Sequence, residues 1–105
     1  MVVIVDPHLK RSSDYPVYEK AKEMGILVKL PSGEGDYEGW CWPGSSAWID
    51  FFNPKSWAFW SSLFNPTRGK EWTWTDSTQD IYIWNDMNEV SSFCKRSPRA
   101  SVQCK

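Results

Sequence analysis

Two short apolar runs constrain this chain most: "VVIVD" (Val2 to Asp6) and "IYIW" (Ile81 to Trp84). Both are β-branched or aromatic and neither breaks for a charged residue. Such a run suits a strand buried on both faces, the habit of parallel sheets. Parallel strands cannot be joined by a tight turn, so a long crossover must lie between them. The intervening sequence can supply one.

"PHLKRSSD" reads as a polar loop after the first run. Ser13 or Asp14 can then cap a helix with Pro16 in its first turn. Val17, Ala21 and Met24 share one face of it, and Gly25 stops it. "ILVKL" (Ile26 to Leu30) predicts a short strand, "PSGEGD" a turn, and "YEGWCW" the returning arm of a hairpin. "PGSSAWIDF" looks irregular. In "NPKSWAFWSSLF" Asn53 is the expected cap and Pro54 the first residue of a second helix, with Trp57, Trp60 and Phe64 as its buried stripe. Residues 65–80 lack periodicity and read as a long loop. The order strand, helix, hairpin, helix, strand predicts a parallel βαβ unit of the α/β class. Two parallel strands cannot cover both of their own faces, so the pattern points to a piece of something larger.

The twelve basic and thirteen acidic residues among 105 nearly cancel. That leaves no electrostatic footprint for nucleic acid or an anionic membrane. No stretch approaches membrane-spanning length. "MVVIVD" lacks the basic region and apolar length of a signal peptide, so the chain read literally stays in the cytosol. "NPT" at Asn65 has the proline that excludes glycosylation. Residues 94–105 carry positive charges and no negative ones, and predict a disordered basic tail distinct from residues 1–93.

Ligand sites of parallel α/β folds lie at the C-terminal ends of their strands. Asp6-Pro7-His8 follows the first run and Asn85-Asp86-Met87-Asn88-Glu89 the second, which places both on one rim. A carboxylate there, flanked by Trp84 and amides, can be held against a sugar ring. Retaining glycosidases need two carboxyl groups about 5 Å apart. Glu89 is the local second carboxylate, but three residues on it has turned away from the strand end. Asp86 reads equally well as a turn-forming aspartate. His8 reads as a structural histidine, since Asp6 and His8 without a third ligand do not make a metal site. No CxxC pair exists among Cys41, Cys94 and Cys104; Cys94 and Cys104 could pair in an oxidising compartment. Cys41 reads as a packed thiol, with no His or Lys near it in sequence to activate it. "SGEGD" lacks the lysine of a phosphate loop. Eight tryptophans are many for 105 residues, and some of them suit the lining of a cleft.

"IVDPHLK" (Ile4 to Lys10), "YEGWCWPGSS" (Tyr37 to Ser46), "DFFNPKSWAFWSSLF" (Asp50 to Phe64) and "IWNDMNE" (Ile83 to Glu89) resemble successive blocks of glycoside hydrolase family 31, the α-glucosidases. The resemblance covers residues 1–90 and looks closest to an endoplasmic-reticulum subgroup. It implies a partial (β/α)8 barrel of about two βα units, the two runs being consecutive barrel strands and the hairpin an insertion. It implies Asp86 as nucleophile, Trp84, Trp42 and Phe93 lining the site, an α-glucoside or oligosaccharide substrate, and no metal or cofactor. In the subgroup it also implies a regulatory partner subunit. The family's Pro after the motif is Val90 here, and the pattern dissolves after Phe93. No residue corresponds to the general acid or to the sugar-gripping aspartate of an earlier strand. A competing class is a non-catalytic carbohydrate-binding module with Trp40, Trp42, Trp72 and Trp74 as stacking platforms. A third is an interaction fragment with exposed apolar surface.

Overall fold

A computed structural model of the chain describes residues 1–65 and 79–88. β1 (Val2–Val5) pairs in parallel with β5 (Tyr82–Asn85), in the register Val2↔Tyr82 to Val5↔Asn85. The two apolar runs are therefore neighbours, as their composition predicts.

Their burial is not as predicted. Val2, Ile4, Tyr82, Ile83 and Trp84 are all exposed, and the apolar core contains no residue of β1 or β5. β-branched composition selects the parallel pairing, but burial of both faces needs further layers. Among the described residues β1 is half-buried only at Val3 and Val5, and β5 is exposed throughout.

The core lies elsewhere. β2 (His8–Lys10), β4 (Gly44–Trp48) and β3 (Gly39–Cys41) form an antiparallel sheet in the order β2-β4-β3. Leu9, Ala47 and Ile49 from this region pack with Tyr18 and Ala21 of α1 (Pro16–Glu23) and Phe59 and Leu63 of α2 (Pro54–Leu63). Two segments expected to be irregular are thus strands. "HLK" pairs His8↔Trp48 through Lys10↔Ser46, and "GSSAW" is the central strand, with Ser46, Ala47 and Trp48 buried. Their backbone groups are satisfied by sheet pairing, which propensity alone does not reveal. "ILVKL" is not a continuous strand. It makes the single bridges Leu27↔Ile49 and Lys29↔Asp36, and Tyr37 N–H donates to Val28 O at 2.7 Å. A hairpin with the "PSGEGD" turn does form, but "GWC" pairs onward with β4.

α1 begins at Pro16 behind Tyr15, with no side-chain cap from Ser13 or Asp14. The Ser12 hydroxyl instead accepts from Asp14 N–H at 3.3 Å. The helix ends as expected at Gly25, φ 68°. Gly25 N–H bonds Lys22 O and Ile26 N–H bonds Ala21 O, the paired bonds of a Schellman ending. Ala21 and Ile26 are both fully buried there.

In α2 the Asn53 side chain accepts from Lys55 N–H at 3.1 Å, as a cap should. The buried face is Ser56, Phe59 and Leu63, one residue out of phase with the expected Trp57, Trp60 and Phe64. Ser56 is fully buried, and its hydroxyl donates to Asp50 O at 2.7 Å. Trp57 stays 60% exposed, and its indole N–H donates to Phe51 O at 2.8 Å. Trp60 and Phe64 are partly buried and stack edge-to-face with centroids 5.4 Å apart. Most of the 65–80 loop lies outside the described residues, as do Trp72, Trp74 and the 94–105 segment with its two cysteines.

Candidate active site

The β1–β5 register brings two carboxylate-bearing strand ends together. Asp86 N–H donates to Val5 O at 3.2 Å, which carries the parallel ladder one step past β5. Asp6 follows Val5 directly, so Asp6 and Asp86 stand side by side on the rim. Trp84 precedes Asp86 by two residues and so faces the same side of the sheet. Both are exposed.

Asp86 also makes a turn. Its Oδ1 accepts from Met87 N–H at 2.9 Å, and Met87 has φ 53°, in the left-handed region that a non-glycine residue seldom occupies. Strain of this kind costs about 1–3 kcal/mol and tends to gather at functional sites. The turn-forming and site-forming readings of Asp86 are therefore compatible, since the turn aims the carboxylate.

Trp42 reaches the same place from far away in sequence. It sits at the tip between β3 and β4, beside Gly44 (φ 92°). Its indole N–H donates to Met87 Sδ at 3.2 Å. Trp42, Trp84 and Asp86 thus share one rim, while Glu89 and Phe93 lie outside the described residues.

His8 is a packed residue, as expected. Its side chain is 5% exposed, with Nε2 3.5 Å from Asp6 Oδ2 and its ring edge-on to Trp48. Cys41 is buried as expected, but it is not remote from a histidine. His8 Nδ1 lies 3.4 Å from Cys41 Sγ, a contact made by the fold and invisible to sequence proximity. Among the described residues no group of three or more His, Cys, Asp or Glu side chains could hold a metal ion. A cavity of about 180 Å³ opens between the sheet and the helices, lined by Asp6, His8, Tyr15, Trp60 and Phe64 among others. That is below the roughly 300–1,000 Å³ of ordinary ligand pockets. Burial raises the Tyr15 phenol above its ordinary value. Among the described residues no helix is long and apolar enough to cross a membrane.

A parallel strand pair with acidic C-terminal ends and aromatic side chains gathered at them matches the place where α/β folds put their ligand sites. The chain matches the glycosyl hydrolases family 31 TIM-barrel domain over residues 1–105 and belongs to that family. Neutral alpha-glucosidase AB of Dictyostelium discoideum is 47% identical over 93 residues, 89% of this chain and 9% of its own length. Neutral alpha-glucosidase C of Homo sapiens is 48% identical over 103 residues, 98% of this chain and 10% of its own length. A crystal structure of glucosidase II alpha subunit bound to alpha3-Glc2 superposes with a TM-score of 0.76 and 43% identity, over 88% of this chain and 9% of that one. An ER glucosidase II heterodimer, a catalytic subunit with the binding domain of a regulatory subunit, gives 0.76 and 44%, over 88% and 9%. The chain spans about a tenth of the length of the curated relatives it matches. The described residues form two sheets and two helices and no closed barrel.

Proposed function

We propose that this chain is a segment of a retaining α-glucosidase of the glucosidase II type, with Asp86 as its nucleophile. The observation that carries the reading is the position of Asp86. It stands at the end of a parallel strand, bonded through its backbone to Val5 and aimed by the Met87 turn, with Trp42 and Trp84 beside it.

Asp86 attacks the anomeric carbon of a terminal α-linked glucose and forms a covalent glycosyl-enzyme. Water then displaces the carboxylate with retention. The leaving oxygen needs a proton from a second carboxyl group. The neighbouring Asp6 faces His8, and by the family pattern the acid comes from a later barrel strand. Trp42, Trp84 and Phe93 line the sugar site. β1 and β5 are consecutive strands of a (β/α)8 barrel, and the β2–β4 sheet with its hairpin is an insertion between them. A complete barrel takes about 250 residues, so residues 1–93 supply about two of its eight βα units. Residues 94–105 carry four basic residues and no acidic one.

By kinship with the relatives above, the whole enzyme trims glucose from N-glycans in the endoplasmic reticulum lumen beside a regulatory subunit. It uses no cofactor. A test is to place residues 1–88 in register in the glucosidase II alpha subunit and treat it with a slowly turned-over fluorinated α-glucosyl fluoride. A mass increase on the peptide containing Asp86, lost in Asp86→Asn, supports the reading. Labelling of another residue overturns it.

A carbohydrate-binding module is the second reading. Its support is the exposure of Trp40 and Trp42 on the β3–β4 tip. Saturable sugar binding that survives Asp86→Ala, with no labelling, favours it.

A further inference from the structure

We propose that Asp6, His8 and Cys41 form a positioning relay that fixes Trp42 on the rim. The sugar-binding consequence rests on the glucosidase reading above, but the relay itself does not.

The contacts close a ring. Asp86 N–H donates to Val5 O, and Val5 is joined by its peptide bond to Asp6. Asp6 Oδ2 faces His8 Nε2 at 3.5 Å, and His8 Nδ1 faces Cys41 Sγ at 3.4 Å. Cys41 is joined to Trp42, whose indole N–H donates to Met87 Sδ, and Met87 is joined to Asp86.

The direction of the hydrogen bonds follows from the donor inventory. A carboxylate only accepts, so the His8 Nε2–H points to Asp6. In the neutral ring that leaves the Nδ1 lone pair for the Cys41 S–H.

The link is structurally distinctive. β4 lies between β2 and β3, so no backbone ladder joins the strand of His8 to that of Cys41. The side-chain contact crosses the sheet instead, in a site where Cys41 is 2% exposed. Asp6 Oδ1 is buried with no hydrogen-bond partner among the described residues, so the carboxylate's remaining polar contact falls on His8. Trp42 is 71% exposed, so little of its placement comes from burial. The Cys41 peptide and the Met87 sulfur are two of the restraints on it.

The ring makes a coupling prediction. Cutting it at Met87 should loosen it at Cys41. The probe is the labelling rate of Cys41 by a disulfide reagent, in the full 105-residue chain with Cys94→Ser and Cys104→Ser. Each cut contact involves sulfur, a weak hydrogen-bond partner, so labelling should quicken by about two- to threefold in both His8→Ala and Met87→Ala. An unchanged rate in Met87→Ala overturns the relay. So does wild-type labelling as fast as in the urea-unfolded chain. Should His8→Ala label like unfolded chain, it has lost its fold, and Met87→Ala decides.

The second arm uses the glucosidase II alpha subunit carrying residues 1–88. There His8→Ala and Cys41→Ala should raise KM for a p-nitrophenyl α-glucoside, with kcat kept within about twofold, the signature of lost uniform binding. Cys41→Ser keeps a donor to Nδ1 and should restore KM. A loss of kcat at unchanged KM overturns the positioning role. Coupled labelling with full activity in Asp86→Asn keeps the relay and removes the glucosidase reading. Uncoupled labelling with Asp86→Asn inactive does the reverse.

Discussion

The indole N–H of Trp42 donates to the sulfur of Met87 across 3.2 Å, joining residues 45 positions apart. This contact ties the tip of the antiparallel sheet to the turn that aims Asp86. A thioether is a weak acceptor, so the bond orients more than it stabilises. Trp42→Ala should raise KM for α-glucosides, in the glucosidase II alpha subunit carrying residues 1–88, by about two- to twelvefold, the range for one lost aromatic contact. Trp42→Phe should recover part of that. Equal KM in the wild type and Trp42→Ala would place Trp42 outside the sugar site.

The isolated 105-residue chain should not hydrolyse α-glucosides. On the proposed reading, Asp86 as nucleophile cannot by itself protonate the leaving oxygen. Release of p-nitrophenol from p-nitrophenyl α-glucoside measures this. Turnover that disappears in Asp86→Asn would show that an acid lies within these residues after all.

The phase of α2 can be tested by stability. Phe59 is 4% exposed and Trp57 60%. Phe59→Ala should cost about 3–5 kcal/mol of unfolding free energy. Trp57→Ala should cost about 1 kcal/mol, mostly its bond to Phe51 O. Urea denaturation of the chain reads both, and a larger loss for Trp57 than for Phe59 would contradict the observed face.

Tyr15 predicts an alkaline limit. Burial raises its phenol above 10.0 in the folded chain. Above about pH 10 the unfolded state therefore binds fewer protons than the folded one, and stability falls as pH rises. The contribution is fully present below that pH. Urea midpoints from about pH 9 to pH 11 should fall less steeply in Tyr15→Phe, and parallel slopes would contradict the buried phenol.

The parallel pairing of β1 and β5 was legible because an uninterrupted apolar run is a local property. So were the Gly25 ending, the Asn53 cap and the shared rim of Asp6 and Asp86. The blocks around "DPH", "GWCWPG" and "WNDMNE" also pointed to the family that the comparisons establish.

What the tertiary structure alone decided is which surfaces meet. "HLK" and "GSSAW" carry no strand signal, yet they pair because each supplies the other's backbone partners. α2 turns its small Ser56 inward, where the hydroxyl bonds Asp50 O, and leaves Trp57 outside, where the indole bonds Phe51 O. Cys41 gained a histidine 33 positions away, and Trp42 a methionine 45 away. Local sequence determined the strand ends and the carboxylates on them. Long-range packing determined their neighbours, because contacts between residues distant in the chain leave no periodic trace along it.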